Sequence, residues 1–310
     1  MGRIERVSRG VRGRGALTRA TAPRGAGSPD RVPGWDLRCG APAPPGASAV
    51  APPGDPGPAA ASLAPPIGVC AELQARARAL EALIAAGVPF LVAGAYAFFA
   101  YTGIYRDTKD LDVMLLERDV PAARRALEQV GFSTEVLNPR WIAKAYFGES
   151  FVDLIFSSSN GLGVVDECWF QHAREATILG HRCPIAPVEE ILFTKAFVDE
   201  RERYDGADVN HLIYACGEGM NWERLLARFG PHWEVLLSHV TLYRFVYPGA
   251  RSRVPGWLVD ELCERVLTQL RVGDDPGSIC RGKLLSSLQY RHDYEELGMD
   301  DGPRALAKPA

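Results

Sequence analysis

Two carboxylates one residue apart, in Asp110-Leu111-Asp112, open an apolar run that continues through Val113, Met114, Leu115 and Leu116. On a β-strand, residues i and i+2 point to the same face, so Asp110 and Asp112 would stand side by side. Their charges repel, and beside a core that repulsion is poorly screened. A divalent cation between them removes the penalty, and hard oxygen ligands with open coordination positions suit Mg²⁺. A second strand-like run, Phe151-Val152-Asp153-Leu154-Ile155-Phe156, carries a lone acid among large apolar residues. Burying an unpaired carboxylate is costly, so Asp153 calls for either a metal or a salt-bridge partner. If its strand lies beside that of Asp110, three carboxylates converge on one metal site.

Two more features bear on chemistry. Val92-Ala93-Gly94-Ala95 reads as a strand running into a helix through small residues. Such a turn lets backbone N–H groups at a helix N-terminus approach phosphate oxygens. Downstream, Lys195 falls on an apolar helical stripe with Ile191, Leu192 and Val198. A lysine there either snorkels to solvent or meets an anion. Asp205 and Asp208 can be read as N-cap and helix-start residues before Val209.

The elements that must position these groups follow from hydrophobic periodicity. Helical spacing covers residues 69–86, closed by Gly87 and Pro89, and a short buried strand follows at 90–93. Residues 95–101 read as a helix, 110–116 as a strand, and 120–130 as an amphipathic helix ended by Gly131. Strands are expected near 141–147 and 151–156. After Pro187 the pattern turns helical, over 188–203, 207–215, 222–229, 233–245 and 257–272. The expected fold class is α/β: a small mixed-sheet domain over 69–186, a helical domain over 187–272, and a C-terminal extension over 273–310.

Composition narrows the function classes. The chain has 310 residues, 47% hydrophobic, with a formal charge of −3, so it has no overall basic character for gripping nucleic acid. Nothing in it reaches the ~18 to 20 continuous apolar residues of a membrane span, so no membrane partner is expected. The charge is unevenly spread. Residues 1–70 hold 12 of the 23 prolines, 12 of the 31 glycines, nine arginines and four acids. A segment so rich in Gly and Pro cannot offset its own ordering entropy, and residues 1–68 are expected to be a disordered Pro/Gly/Ala/Arg-rich tail, functionally silent. Its arginines resemble those of a transit peptide, but Gly10, Gly13, Gly15 and Pro23 interrupt any amphipathic helix there. The seven cysteines are scattered, with no C-x-x-C and no Cys/His pair at zinc spacing, which points to a reduced, cytoplasmic chain without zinc. The G-x-G-x-x-G, G-x-x-x-x-G-K-[ST] and G-x-S-x-G fingerprints are absent.

Gly94-Ala95-Tyr96-Ala97 followed by Arg106-Asp107-Thr108-Lys109-Asp110-Leu111-Asp112 resembles the signature of the polymerase-beta-type nucleotidyltransferases. The likeness is to the small bacterial branch that includes abortive-infection-type toxin nucleotidyltransferases. There a Gly-Gly-x-Ala turn precedes Arg-x-Ser/Thr-x-Asp-Leu-Asp, and a downstream helix carries a lysine, then arginines and an aspartate. Lys195, Arg201, Arg203 and Asp208 are similar in order, and the resemblance spans about 88–212. It implies Mg²⁺-dependent transfer of a nucleoside monophosphate from an NTP to an acceptor such as RNA (tRNA included), a small molecule or a protein. Asp110 and Asp112 would hold two Mg²⁺ ions, and Asp153 would complete the metal site or take the acceptor's proton. Gly94 and Ala95 would cradle the triphosphate, with Arg106, Thr108 and Lys195 beside it. One departure is Ala95, where the family turn has glycine or serine; alanine keeps the N–H and adds a methyl. The alternative of another class is a catalytically silent nucleotide-binding or antitoxin-like scaffold of the same fold. The presence of all three carboxylates favours the enzyme.

Overall fold

The computed structural model describes residues 71–273 and 277–300. The tail expected over 1–68 lies outside the described residues, as do 274–276 and 301–310 of the C-terminal extension. The chain begins with α1 (Ala71–Ala85), β1 (Leu91–Val92), α2 (Gly94–Thr102), β2 (Asp110–Met114) and α3 (Val120–Gln129). Next come β3 (Ser133–Asn138), β4 (Ile142–Phe147), β5 (Ser150–Ile155), α4 (Glu167–Gln171), β6 (Arg174–Ile178) and β7 (His181–Ile185). Helices α5 (Val188–Ala196), α6 (Gly206–Cys216), α7 (Trp222–Phe229), α8 (Trp233–Val246), α9 (Gly256–Val272) and α10 (Arg291–Glu295) complete it.

The fold class is mixed α/β. Seven strands form one sheet in the order β3-β4-β5-β2-β1-β7-β6. The β2–β5 and β1–β7 pairs are parallel and the others antiparallel. Alternation along the two central strands divides their side chains between faces. Leu111, Val113, Val152 and Leu154 are essentially inaccessible to solvent and form one side. Helices α1 and α3 pack on the sheet, with Leu80, Leu83, Ala123 and Leu127 fully buried. Asp110, Asp112 and Asp153 therefore share the opposite face. Helix α2 packs against β2, α5 and α6, and Arg76 of α1 reaches it through a buried hydrogen bond from Nη1 to the Tyr96 hydroxyl (3.1 Å).

Several elements differ from the expectation. Strands β3, β6 and β7 and helices α4 and α10 are additional to it. β3 and β6 are the two edge strands, and their sequences, STEVLN and REATI, mix exposed polar residues with few aliphatics. The β6–β7 hairpin closes on Leu179-Gly180, both at positive φ (50° and 84°), a two-residue turn whose twist matches the strands. The helix expected over 188–203 stops at Ala196. The chain then folds back on itself, with Asp199 bridging Tyr204 and Glu200 N–H donating to the Arg203 carbonyl (2.8 Å). Val198, Arg201 and Arg203 thus lie beyond the helix that carries Lys195. No helix among the described residues is long and apolar enough to cross a membrane.

The helices after the sheet hold together through rings and charges. Phe193 of α5 and Phe197 just after it meet Phe229 of α7 with ring centroids 5.1 and 5.7 Å away. Beside them, Arg224 of α7 pairs with both Glu189 and Glu190 at the start of α5, and Arg228 pairs with Asp166, the N-cap of α4. Glu190 is fully buried, and desolvation pushes its carboxyl up while Arg224 opposes the shift. Removing the cation would leave buried Glu189 without its counter-charge and Glu190 with only the 3.4 Å contact to Arg228. Arg224→Met should therefore destabilise the chain by about 3 to 5 kcal/mol, read as a lower urea midpoint at pH 7.

Candidate active site

β2 and β5 run parallel in a register that sets Asp112 directly against Asp153. Asp110, two residues earlier on β2, shares their face. One carboxylate oxygen from each of the three acids lies within 4.8 Å of the others. On its other side Asp153 is in register with Lys144 of β4, whose Nζ lies 2.9 Å from Asp153 Oδ1. Asp153 thus has both kinds of neighbour that its sequence context left open: a salt-bridge partner and two more carboxylates.

The fourth side of the site is the strand-to-helix turn. The Ala93 N–H donates to the Asp112 carbonyl (2.9 Å), bringing the chain past Asp112 as it enters α2. Gly94 sits at φ +55°, and a Cβ there would fall 1.7 Å from Asp112 Oδ2. Only glycine combines that left-handed backbone with room for the carboxylate. Ala95 follows as the second residue of α2, partly exposed. Thr108 Oγ1 donates to Asp110 Oδ1 at 2.5 Å, so this residue restrains the acid's side chain.

Lys195 belongs to an adjacent cluster. Its Nζ donates to Asp205 Oδ2 (2.9 Å) and Asp208 Oδ2 (2.7 Å), tying α5 to α6. The anion that meets Lys195 is therefore a pair of aspartates; Asp205 stands at the N-cap of α6 and Asp208 in its first turn, as expected, with the Asp205 side chain making no capping bond. Arg203 also donates to Asp205 (3.3 and 3.2 Å), and Arg106 pairs with Asp208. Both Arg106 and Lys195 lie over the Phe98 ring of α2, at 4.7 and 5.9 Å from its centroid. Lys144 and Phe98 are the two members that sequence reasoning missed. A lone lysine in the apolar strand Ile142-Ala143-Lys144-Ala145 was the available signal for the first; its pairing with Asp153 depends on the β4–β5 hairpin register.

The electrostatics follow from this crowding. Asp112 is held up to about 7, first by burial and then by the charges of Asp110 and Asp153, against the pull of Lys195 and Arg203. Burial also raises Asp153, and the Lys144 ammonium opposes it. A carboxyl that keeps its proton near neutrality is a ligand set short of positive charge. Three hard oxygen donors this close fit a divalent cation, which would displace that proton.

No protein-family model matches this sequence, and no curated protein sequence does. Among solved structures, it is similar to the antibiotic-resistance factor ANT(2'')-Ia, at 18% identity over 54% of this chain and 95% of that one, with a TM-score of 0.40. It is similar to the lincosamide antibiotic adenylyltransferase LnuA at 17% identity, covering 45% and 94% of the two chains, TM-score 0.34. A third is an antigenic nucleotidyltransferase-like protein from Paracoccidioides brasiliensis, 16% identical over 54% and 91%, TM-score 0.33.

The raised Asp112 has a consequence for stability. A carboxyl moved from 3.8 unfolded to about 7 folded takes up a proton on folding between those values. The metal-free chain should then lose stability as pH rises from about 4 through 7, because the native state binds more protons in that window. Asp112→Asn should flatten the slope and exceed the parent by about 1 to 3 kcal/mol at pH 8, the upper end being reduced by partial solvent access. Urea melts in EDTA between pH 5 and 8 measure both.

Proposed function

We propose that this chain is a divalent-metal-dependent nucleotidyltransferase that moves a nucleoside monophosphate from an NTP to an acceptor hydroxyl. The observation that carries the reading is the convergence of Asp110, Asp112 and Asp153 within 4.8 Å, beside the glycine turn that opens α2. Asp110 and Asp112 would hold Mg²⁺, two ions in the complete site, with Asp153 as third ligand or as acceptor of the hydroxyl proton. Bound there, the metal supplies charge to the attacking and leaving oxygens of the displaced phosphoryl group. The first N–H groups of α2, from Gly94 and Ala95, have no partner within the helix and would take phosphate oxygens. Thr108 keeps Asp110 in place for its ligand role. Arg106 and Lys195 would offer their charge to the triphosphate from the side of α6.

The same reading treats 69–186 as the catalytic domain and 187–272 as a helical domain that closes over one edge of it. It places the chain in the cytoplasm, where NTPs and Mg²⁺ are supplied. RNA, a small molecule and a protein all remain acceptor classes. Incubation with labelled ATP, CTP, GTP and UTP and Mg²⁺, alone and with total tRNA, should transfer label. Asp112→Asn should abolish the transfer and leave the fold intact by circular dichroism. Retained NTP binding with no transfer to any acceptor would favour the silent scaffold of the same fold.

Lys195 has a separate test. Lys195→Met keeps length and apolar volume, and should weaken NTP binding by about 1.5 to 3 kcal/mol, as for a hydrogen bond to a charged group. An unchanged affinity would make Lys195 a strut between α5 and α6 and take it out of the nucleotide site.

A further inference from the structure

Lys144 stands in the same transverse row of the sheet as Asp153 and Asp112, one strand further out. Its position is built. The ammonium is 2.9 Å from Asp153 Oδ1 and 3.9 Å from the centroid of the Phe151 ring, and the side chain is 20% exposed. Phe151 lies two residues before Asp153 on β5, hence on the same face. The ring therefore holds the ammonium against the acid from the side, as a cation–π contact does. The ammonium lies at hydrogen-bond distance from the buried Asp153 Oδ1, so Lys144 fixes one oxygen of that carboxylate and leaves its second oxygen for another ligand role.

We propose that Lys144 is a positioning residue that sets the metal count of the site: it serves as a fixed internal cation, so the nucleotide-free triad takes one divalent ion. The inference rests on the reading of the triad as a metal site. Within the row itself, three ionised carboxylates and one ammonium leave two net negative charges, which a single divalent ion neutralises, and the net positive cluster of Lys195, Arg106 and Arg203 beyond Asp112 disfavours a second ion further. A second ion entering the same space would meet an uncompensated positive charge. It requires additional anionic ligands, which an NTP's phosphates provide. Lys144 thereby couples arrival of the second ion to arrival of the substrate, and it restrains the Asp153 side chain meanwhile.

The experiment is Mn²⁺ titration of the full chain, followed by calorimetry and by electron paramagnetic resonance of free Mn²⁺, without nucleotide and then with a non-hydrolysable ATP analogue. The wild type should bind one Mn²⁺ alone and two with the analogue. Lys144→Met and Lys144→Gln should bind Mn²⁺ without nucleotide at least about tenfold more tightly, or take two ions, because a nearby like charge has been removed. Lys144→Arg should restore the wild-type titration, which a merely structural role in β4 would not require. Two ions on the nucleotide-free wild type, or neutral variants whose titrations superimpose on it, would overturn the assignment while leaving the metal site itself standing. Absence of Mn²⁺ binding by every variant, with and without the analogue, would overturn the metal site and the assignment together.

Discussion

Mutual repulsion of three carboxylates is the constraint around which this face of the molecule is arranged. Like charges that close cannot all ionise without compensation, and Asp112 held up to about 7 measures the shortfall. Compensation comes from both ends of one transverse row. Lys144 on β4 flanks Asp153 directly, and Lys195 and Arg203 act on Asp112 from the helical side. The row runs through β4, β5 and β2 and ends at Gly94, where the absence of a side chain gives the Asp112 carboxylate its space. The opposite face of the same strands carries Leu111, Val113, Val152 and Leu154, which fixes register because a one-residue slip would send Leu111 and Val113 outward and the acids into the core.

How much of this was legible in the sequence depended on distance along the chain. Asp110 and Asp112 share a face by strand geometry alone, so their pairing could be read locally. Asp153 could be singled out as an acid in an apolar run, but whether it met a lysine or the other acids depended on which strands adjoin β5. It meets both, because β5 lies between β4 and β2. Lys144 was obscured for the same reason, since nothing local says which residue of the next strand it faces. The edge strands β3 and β6 gave a weak periodic signal, being half-solvated and charged. The early end of α5 at Ala196 is a tertiary effect: Lys195 is drawn to Asp205 and Asp208, which requires the chain to reverse within a few residues.

That reversal joins sheet and helices through charge. Lys195, Arg106 and Arg203 face Asp205 and Asp208, three cations to two acids, so the cluster retains one positive charge next to a triad that lacks it. Neither set is balanced alone, and each lowers the electrostatic cost of the other. Their exposures differ in a telling way. Lys195 is 16% exposed and doubly bound, whereas Arg106 and Arg203 are 43% and 66% exposed. Partly solvated arginines are the members that can exchange an aspartate for an incoming anion at small cost, while Lys195 has a third N–H beyond the two it gives to Asp205 and Asp208. An anion binding here would thus recruit the outer guanidiniums and that third N–H, and leave the Lys195–Asp208 link between α5 and α6 intact. By this argument the helices need not separate from the sheet for the site to accept charge, since the adjustable parts are the side chains at its rim.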